Sequence, residues 1–294
     1  MKKSIYILTL LFLFSISKSE AQTILRVLSC NIRVDLAKDT LNGHGWNIRK
    51  NVCFEIMKKY NADIFCLQEV GYSQYKDLLK AFPNYFIFGY TGPEMDTMPD
   101  TTYHGIAKNL ILFSKKRFEL TGASTYWLAE NPLHGGELSW GTARARHVNW
   151  VRLIDKISMK EFRICSTHLD HVSQSARVKQ IEVFLNEASQ YKNNFPQILC
   201  GDFNARPDNI IISSIMPQHG WKNVYKEHNN KYEDFSTHHF IGNSYKPKKI
   251  PSQIDYIFVH GENIKILDSY FIKDCINGIY PSDHYFLATT LELS

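Results

Sequence analysis

The chain has 294 residues, 44% of them hydrophobic and 21% charged, which supplies a sizeable core and excludes a disordered or fibrous protein. A formal charge of +5 over that length does not by itself indicate a nucleic-acid partner. No stretch reaches the roughly 18 consecutive apolar residues of a confident membrane span, so stable membrane insertion is not expected.

In chain order, the first segment reads as a processing signal. Lys2 and Lys3 precede an apolar run over residues 5–14, and Ser19-Glu20-Ala21 places small residues where a signal peptidase reads them. The expectation is a signal peptide over residues 1–21, one domain over residues 22–294, and an exported protein, periplasmic or extracellular. Cleavage removes three lysines and one glutamate and leaves a formal charge of +3. Residues 24–30 then read as a strand that ends at Asn31, and residues 46–60 as a helix with Ile48, Val52 and Ile56 on one face. Residues 64–67 form a strand before Gln68-Glu69, and residues 109–113 and 148–157 have strand character without a helical period. A strand over 162–165 runs into Thr167-His168. The helix over 173–191 opens on a capping serine and turns Val178, Ile181, Phe184, Leu185 and Ala188 to one side. Residues 198–200 lead into Gly201-Asp202, and strands follow at 254–259, 264–272 and 286–293. Many strands interleaved with few helices predict a two-sheet sandwich with helices packed outside. The polar loops at 91–104 and 129–142 are candidates for substrate-facing insertions.

Six cysteines in an exported chain raise the question of disulfides, but Cys30, Cys66, Cys165 and Cys200 sit inside apolar strand-like runs and read as buried thiols. Cys53 and Cys275 stay open as a pair. None has the spacing of a zinc site. The polar residues at strand ends carry the chemistry: Asn31, Glu69, Asp202, Asn204, Asp255, Asp283 and His284 stand where a lone carboxylate or amide is costly unless partnered. Hydrolysing a phosphate ester needs such a set, with oxygens for a hard cation, a group for the attacking water, and donors around the phosphoryl oxygens.

The runs Cys30-Asn31-Ile32-Arg33, Leu67-Gln68-Glu69-Val70, Ser166-Thr167-His168-Leu169-Asp170-His171, Gly201-Asp202-Phe203-Asn204-Ala205-Arg206-Pro207, Ile254-Asp255-Tyr256-Ile257 and Ser282-Asp283-His284 resemble, in order, the successive motifs of the endonuclease/exonuclease/phosphatase superfamily. The resemblance spans nearly the whole mature chain and implies a four-layer α/β/β/α sandwich. It also implies a metal side made of Asn31, Glu69 and Asp283, suited to Mg²⁺ or Mn²⁺. His284 would contact the scissile phosphate with Asp255 on its other ring nitrogen, Asp202 would position or deprotonate the attacking water, Asn204 would hold a phosphoryl oxygen, and His168 would stabilise the transition state. Which group acts as general base is open. Arg146, Arg206 and His238 are weaker candidates for substrate binding, with Arg144, Asp170 and His171 nearby in the motifs.

On substrate, the resemblance is selective. Pro251-Ser252-Gln253-Ile254-Asp255-Tyr256 lacks the Trp and Arg of the phosphoinositide 5-phosphatase motif, and no apolar hairpin like that of bacterial sphingomyelinases is evident. Export and the low charge count against an abasic-site nuclease. The leading expectation is a phosphodiester or phosphomonoester such as a nucleotide, oligonucleotide or sugar phosphate, with no protein partner implied. Sphingomyelinase-like or inositol-phosphate activity is the alternative. An exported binding protein that has lost catalysis is the reading from a different class, and the competent side chains at all seven positions speak against it.

Overall fold

A computed structural model describes residues 22–90, 107–232, 235–239 and 252–294. The expected signal at 1–21 and the loop at 91–104 lie outside the described residues. The first sheet contains β1 (Thr23–Asn31), β2 (Ile64–Gln68), β3 (Tyr85–Phe88), β4 (Ile111–Ser114), β11 (Ile264–Ile272) and β12 (Phe286–Leu293), in the order β11-β12-β1-β2-β4-β3. The second contains β5 (Phe118–Trp127), β6 (His147–Asp155), β7 (Glu161–His168), β8 (Gln197–Asp202), β9 (Lys222–Asn223) and β10 (Asp255–His260), in the order β5-β6-β7-β8-β10-β9. Each sheet has one parallel pair, β1 with β2 and β7 with β8, flanked by antiparallel neighbours. The expected strands are present, and the two sheets with helices outside form the anticipated α/β/β/α sandwich.

Alternation along the strands explains both the core and the site. Inward positions of β1 run Leu25, Val27, then Ser29 and Asn31; β2 runs Ile64, Cys66, then Gln68; β7 runs Phe162, Ile164, then Ser166 and His168; β8 runs Ile198, Cys200, then Asp202. The apolar members pack together between the sheets. Following one face of the sandwich toward the carboxyl ends of these four strands, the filling changes from hydrocarbon to hydrogen-bonding groups. Gln68 Nε2 donates to Ser166 Oγ across the sheets at 3.1 Å, within this polar layer.

Helices α1 (Ala37–Leu41), α2 (Trp46–Tyr60) and α3 (Tyr72–Ala81) follow β1 and β2, and the buried residues of α2 and α3 pack on the outer face of the first sheet. Helix α4 (Gln174–Ala188) covers the second sheet with Ile181, Phe184, Leu185 and Ala188, and Ser173 caps it by accepting from Ala176 N. The short helix α5 (Val224–Asn229) follows β9. The face of α2 differs from expectation. Ile48 is 44% exposed, while Trp46, Arg49, Val52, Cys53, Ile56 and Met57 are buried, so the expected face holds at Val52 and Ile56 and fails at Ile48. All six cysteines are free thiols, with Cys53 buried and Cys275 exposed. Among the described residues no helix is long and apolar enough to cross a membrane.

Candidate active site

Strand register sets three of the site residues side by side. His168 pairs with Asp202 across β7 and β8, and Asp202 pairs with Asp255 across β8 and β10. The glycine before Asp202 makes this approach possible, because a Cβ on Gly201 would stand 2.3 Å from the Thr167 carbonyl oxygen. From the first sheet, Asn31 ends β1, Glu69 follows β2, and Asp283 and His284 precede β12. Arg33, Glu69 and Asn204 each adopt the left-handed backbone region, with φ of 57°, 62° and 47°. For Arg and Glu this conformation costs about 1–2 kcal/mol, and such strain concentrates at functional sites.

The side chains form a connected set. Asn31 Nδ2 donates to Glu69 Oε1 and to Asp202 Oδ2, both at 3.1 Å, while its Oδ1 accepts from Arg33 N at 3.0 Å. Glu69 Oε2 accepts from Val34 N at 3.1 Å. Asp202 Oδ1 accepts from Asn204 N at 2.9 Å, and Asn204 Nδ2 reaches Leu169 O at 3.0 Å and His168 Nε2 at 2.9 Å. Asp255 grips His284 Nδ1 with both oxygens, at 2.9 and 3.1 Å, leaving His284 Nε2 directed toward the site and 3.8 Å from Asp202 Oδ2.

Burial and charge divide the titrating groups. Burial pulls the His284 imidazole down, but the Asp255, Asp202 and Asp283 carboxylates outweigh it and raise the group to about 10, so it is a buried cation at neutral pH. Burial raises the Asp202 carboxyl to about 7, helped by the charge of Asp255 and opposed by His284 and the Asn204 N–H. His168 goes the other way: burial and the Arg146 and His284 charges hold it well below the ordinary histidine value. Its 3.3 Å approach to Asp202 Oδ2 is therefore a contact of a neutral ring and not an ion pair. Asp283 is held far below the usual carboxylate range because hydrogen bonding from His238 and the charges of His284 and Arg33 overcome its burial.

These groups line a cavity of about 260 Å³. Glu69, His168, Asp202, Asn204, Asp283 and His284 reach it, and so does Arg146, whose Nη2 lies 3.2 Å from His171 Nδ1. His238 also reaches it, 3.4 Å from Asp283 Oδ2 and with its ring packed on His284. Arg206 does not: it is absent from the cavity lining and faces Asp208 at 3.3 Å on the surface. Within the loop read as a substrate-facing insertion, Thr142 Oγ1 and Ala143 N both donate to Asp170, and Arg144 follows into the cavity wall. Asp170 thus anchors that loop beside the third motif. Arg33 is the site residue to which sequence reasoning gave no role. It pairs with Asp39 at 2.9 Å and with Asp283 at 3.1 Å, and its signal was a charged side chain two residues past a strand-ending asparagine.

The donor set fits a hard divalent cation. Glu69, His168 and Asp202 each offer a ligand atom, all within 4.8 Å of one another, and the two carboxylates supply hard oxygen. Asp283 falls in a group with His238 and His284, and Asp202 also groups with Asp255 and His284.

The model of the Endonuclease/Exonuclease/phosphatase family matches residues 28–284. Nocturnin of Drosophila melanogaster is 23% identical over 285 residues, covering 84% of this chain and 42% of nocturnin. The chain spans less than half the length of the curated relatives it matches. The crystal structure of an endonuclease/exonuclease/phosphatase from Bacteroides vulgatus superposes with a TM-score of 0.77 at 26% identity, covering 92% of this chain and all of that one. A mannosyl-6-phosphatase of Bacteroides thetaiotaomicron gives a TM-score of 0.74 at 24% identity, covering 91% of this chain and 99% of that one. The family match and the convergence of all six motifs on one cavity place this chain in the Endonuclease/Exonuclease/phosphatase family, whose members are hydrolases acting on phosphate esters.

Proposed function

We propose that the protein is an exported phosphoesterase, dependent on Mg²⁺ or Mn²⁺, that hydrolyses a small phosphate ester of the sugar-phosphate or nucleotide class. The observation that carries this reading is that one small cavity gathers carboxylates and cations at close range. Glu69, Asp202 and Asp283 line it together with the His284 cation, Arg33, Arg144 and Arg146, and His284 Nε2 stands 3.8 Å from Asp202 Oδ2. A phosphoryl group between them meets cation-binding oxygens and hydrogen-bond donors together. The cavity volume of about 260 Å³ suits a phosphorylated small molecule better than a polynucleotide track, and the mannosyl-6-phosphatase of the same fold supports a sugar phosphate. The basic and then apolar N-terminus supports export.

A bound divalent ion supplies Lewis-acid charge at the phosphate. The chain's own residues do the rest. Asp202, held by the Asn204 N–H and beside Asn31, orients the attacking water and takes its proton. His284, kept charged by Asp255, donates from Nε2 to a phosphoryl oxygen as negative charge grows there. Asn204 and the neutral His168 ring fix the opposite edge of the phosphate.

A panel of sugar phosphates, nucleotides, single-stranded RNA and 4-nitrophenyl phosphate esters, assayed with Mg²⁺ or Mn²⁺, tests the reading. Hydrolysis is expected on the small esters, abolished by chelator, and at least about 100-fold slower in Asp202→Ala and His284→Ala. Wild-type rates in those variants would sink the mechanism, and preferential cleavage of RNA would replace the substrate class.

A further inference from the structure

Arg49 is fully buried on α2, which packs on the outer face of the first sheet, and no carboxylate of the described residues is bonded to it. Its guanidinium instead spends its donors on backbone carbonyls: Nε on His44 O at 2.8 Å, Nη1 on Ile32 O at 2.9 Å and Pro281 O at 2.8 Å, and Nη2 on Arg33 O at 3.0 Å. Two of these carbonyls belong to the turn after β1 and one to the segment entering Ser282-Asp283-His284. The β1–β12 ladder ends at the pair Ser29 and Leu287, so no strand hydrogen bond joins those two segments beyond that point. Arg49 makes the join that the ladder does not.

The Arg33 carbonyl is held a second time, by Gln74 Nε2 of α3 at 2.9 Å, and Gln74 Oε1 accepts from Asp35 N and Gly71 N. What Arg49 and Gln74 grip is the left-handed turn whose N–H groups face the site. Arg33 N donates to Asn31 Oδ1 and Val34 N donates to Glu69 Oε2. Asn31 in turn donates to Glu69 and Asp202. Release of the Arg33 peptide therefore disturbs both carboxylates and the Arg33–Asp283 pair together.

We propose that Arg49 is a positioning residue of the active site: its guanidinium, aided by Gln74, sets the turn that orients Asn31, Glu69 and Arg33 and locks that turn to the Asp283–His284 segment. This rests on the phosphoesterase reading above. Arg49→Lys keeps a cation with fewer donors in a different geometry and loses the multidentate grip. The expected result is a fall of at least about tenfold in kcat on 4-nitrophenyl phosphate with little change in KM, and weaker Mn²⁺ binding measured directly by paramagnetic resonance. In an Arg33→Ala background the same substitution should cost less than in wild type, because the Arg33–Asp283 pair it organises is already gone while Asn31 and Glu69 still depend on the grip. Gln74→Leu should reproduce the loss in milder form. Arg163→Lys is the control, since Arg163 is a fully buried arginine on the second sheet bonded to Gln197 and Glu187; it should lower stability and leave kcat and Mn²⁺ affinity unchanged. Should Arg49→Lys fold with wild-type kcat and Mn²⁺ affinity, or lose activity additively with Arg33→Ala, the inference is overturned. A wild-type protein that neither binds Mn²⁺ nor hydrolyses any ester overturns the phosphoesterase reading itself, and the inference with it.

Discussion

Backbone conformation at single residues constrains this site as much as side-chain chemistry does. Asn204 sits at φ 47° with its N–H on Asp202 and its amide on Leu169 O and His168. Asparagine tolerates the left-handed region better than most residues, and glycine tolerates it best. Asn204→Gly and Asn204→Ala both delete the amide, and both should lose activity. Thermal denaturation should nevertheless show Asn204→Gly about 1 kcal/mol more stable than Asn204→Ala, because only alanine retains a Cβ in the strained conformation. The site residues at strand ends were legible in the sequence because polar groups after apolar runs are conspicuous there. Arg49 was not. A reading anchored on Ile48, Val52 and Ile56 holds at Val52 and Ile56 but fails at Ile48, because in the first turn the buried set passes through Trp46 and Arg49, and one residue is a rotation of about 100° on a helix. The signal that could have found it was an arginine three residues after a tryptophan, at the spacing of the buried face.

Among the elements, legibility followed position in the sheets. The central strands β1, β2, β7, β8 and β10 each carry an apolar run and were read directly. The missed strands β3, β5 and β9 lie at sheet edges, where exposure weakens the apolar pattern, and β5 carries a register shift between Leu120 and Gly122; the edge strand β11 was read because its apolar run is long. The parallel pair β7–β8 is the element on which the catalytic register depends. Gly201→Ala forces a Cβ against the Thr167 carbonyl, which is backbone and cannot swing aside. The expected outcome is a loss of about 1–3 kcal/mol in chemical denaturation, with activity reduced because His168 and Asp202 are register partners in that pair. Wild-type stability in Gly201→Ala would show that the two strands separate freely.

At the scale of the whole molecule, the two sheets are also joined near the site by a buried histidine. His147, at the start of β6 in the second sheet, accepts at Nε2 from Asn109 N, just before β4 of the first, at 3.3 Å. It is buried against Trp127, and burial together with the charges of Lys108 and Arg146 holds it well below the ordinary histidine value. The unfolded chain takes up a proton there near pH 6.5 that the folded chain refuses, so stability falls as the pH drops below about 6.5. His168 and His171 shift in the same direction and add to the slope. The stabilisation of protonated His284 has the opposite sign: it is complete below about pH 6.5 and is lost as the pH rises through about 10. Asp202, whose folded value is raised to about 7, opposes this decline by taking up a proton in the folded state over the same window, so denaturation curves taken between about pH 7 and 5 should show wild type losing stability relative to His147→Gln as the pH drops. An equal slope in both would remove His147 as a cause.

The hydrogen bond from Asn31 to Asp202 closes a span of 171 residues, and it joins the carboxyl ends of two parallel pairs that belong to different sheets. Contacts of such long range form late, because the chain must lose the entropy of closing the loop before the bond is made. Either sheet alone has its own strands and its own helical cover, yet it holds only half of the reacting groups. A chain stalled with one sheet complete is consequently inert toward phosphate esters. On refolding, enzymatic activity should be the last native property to return, after secondary structure and after the burial of either outer core.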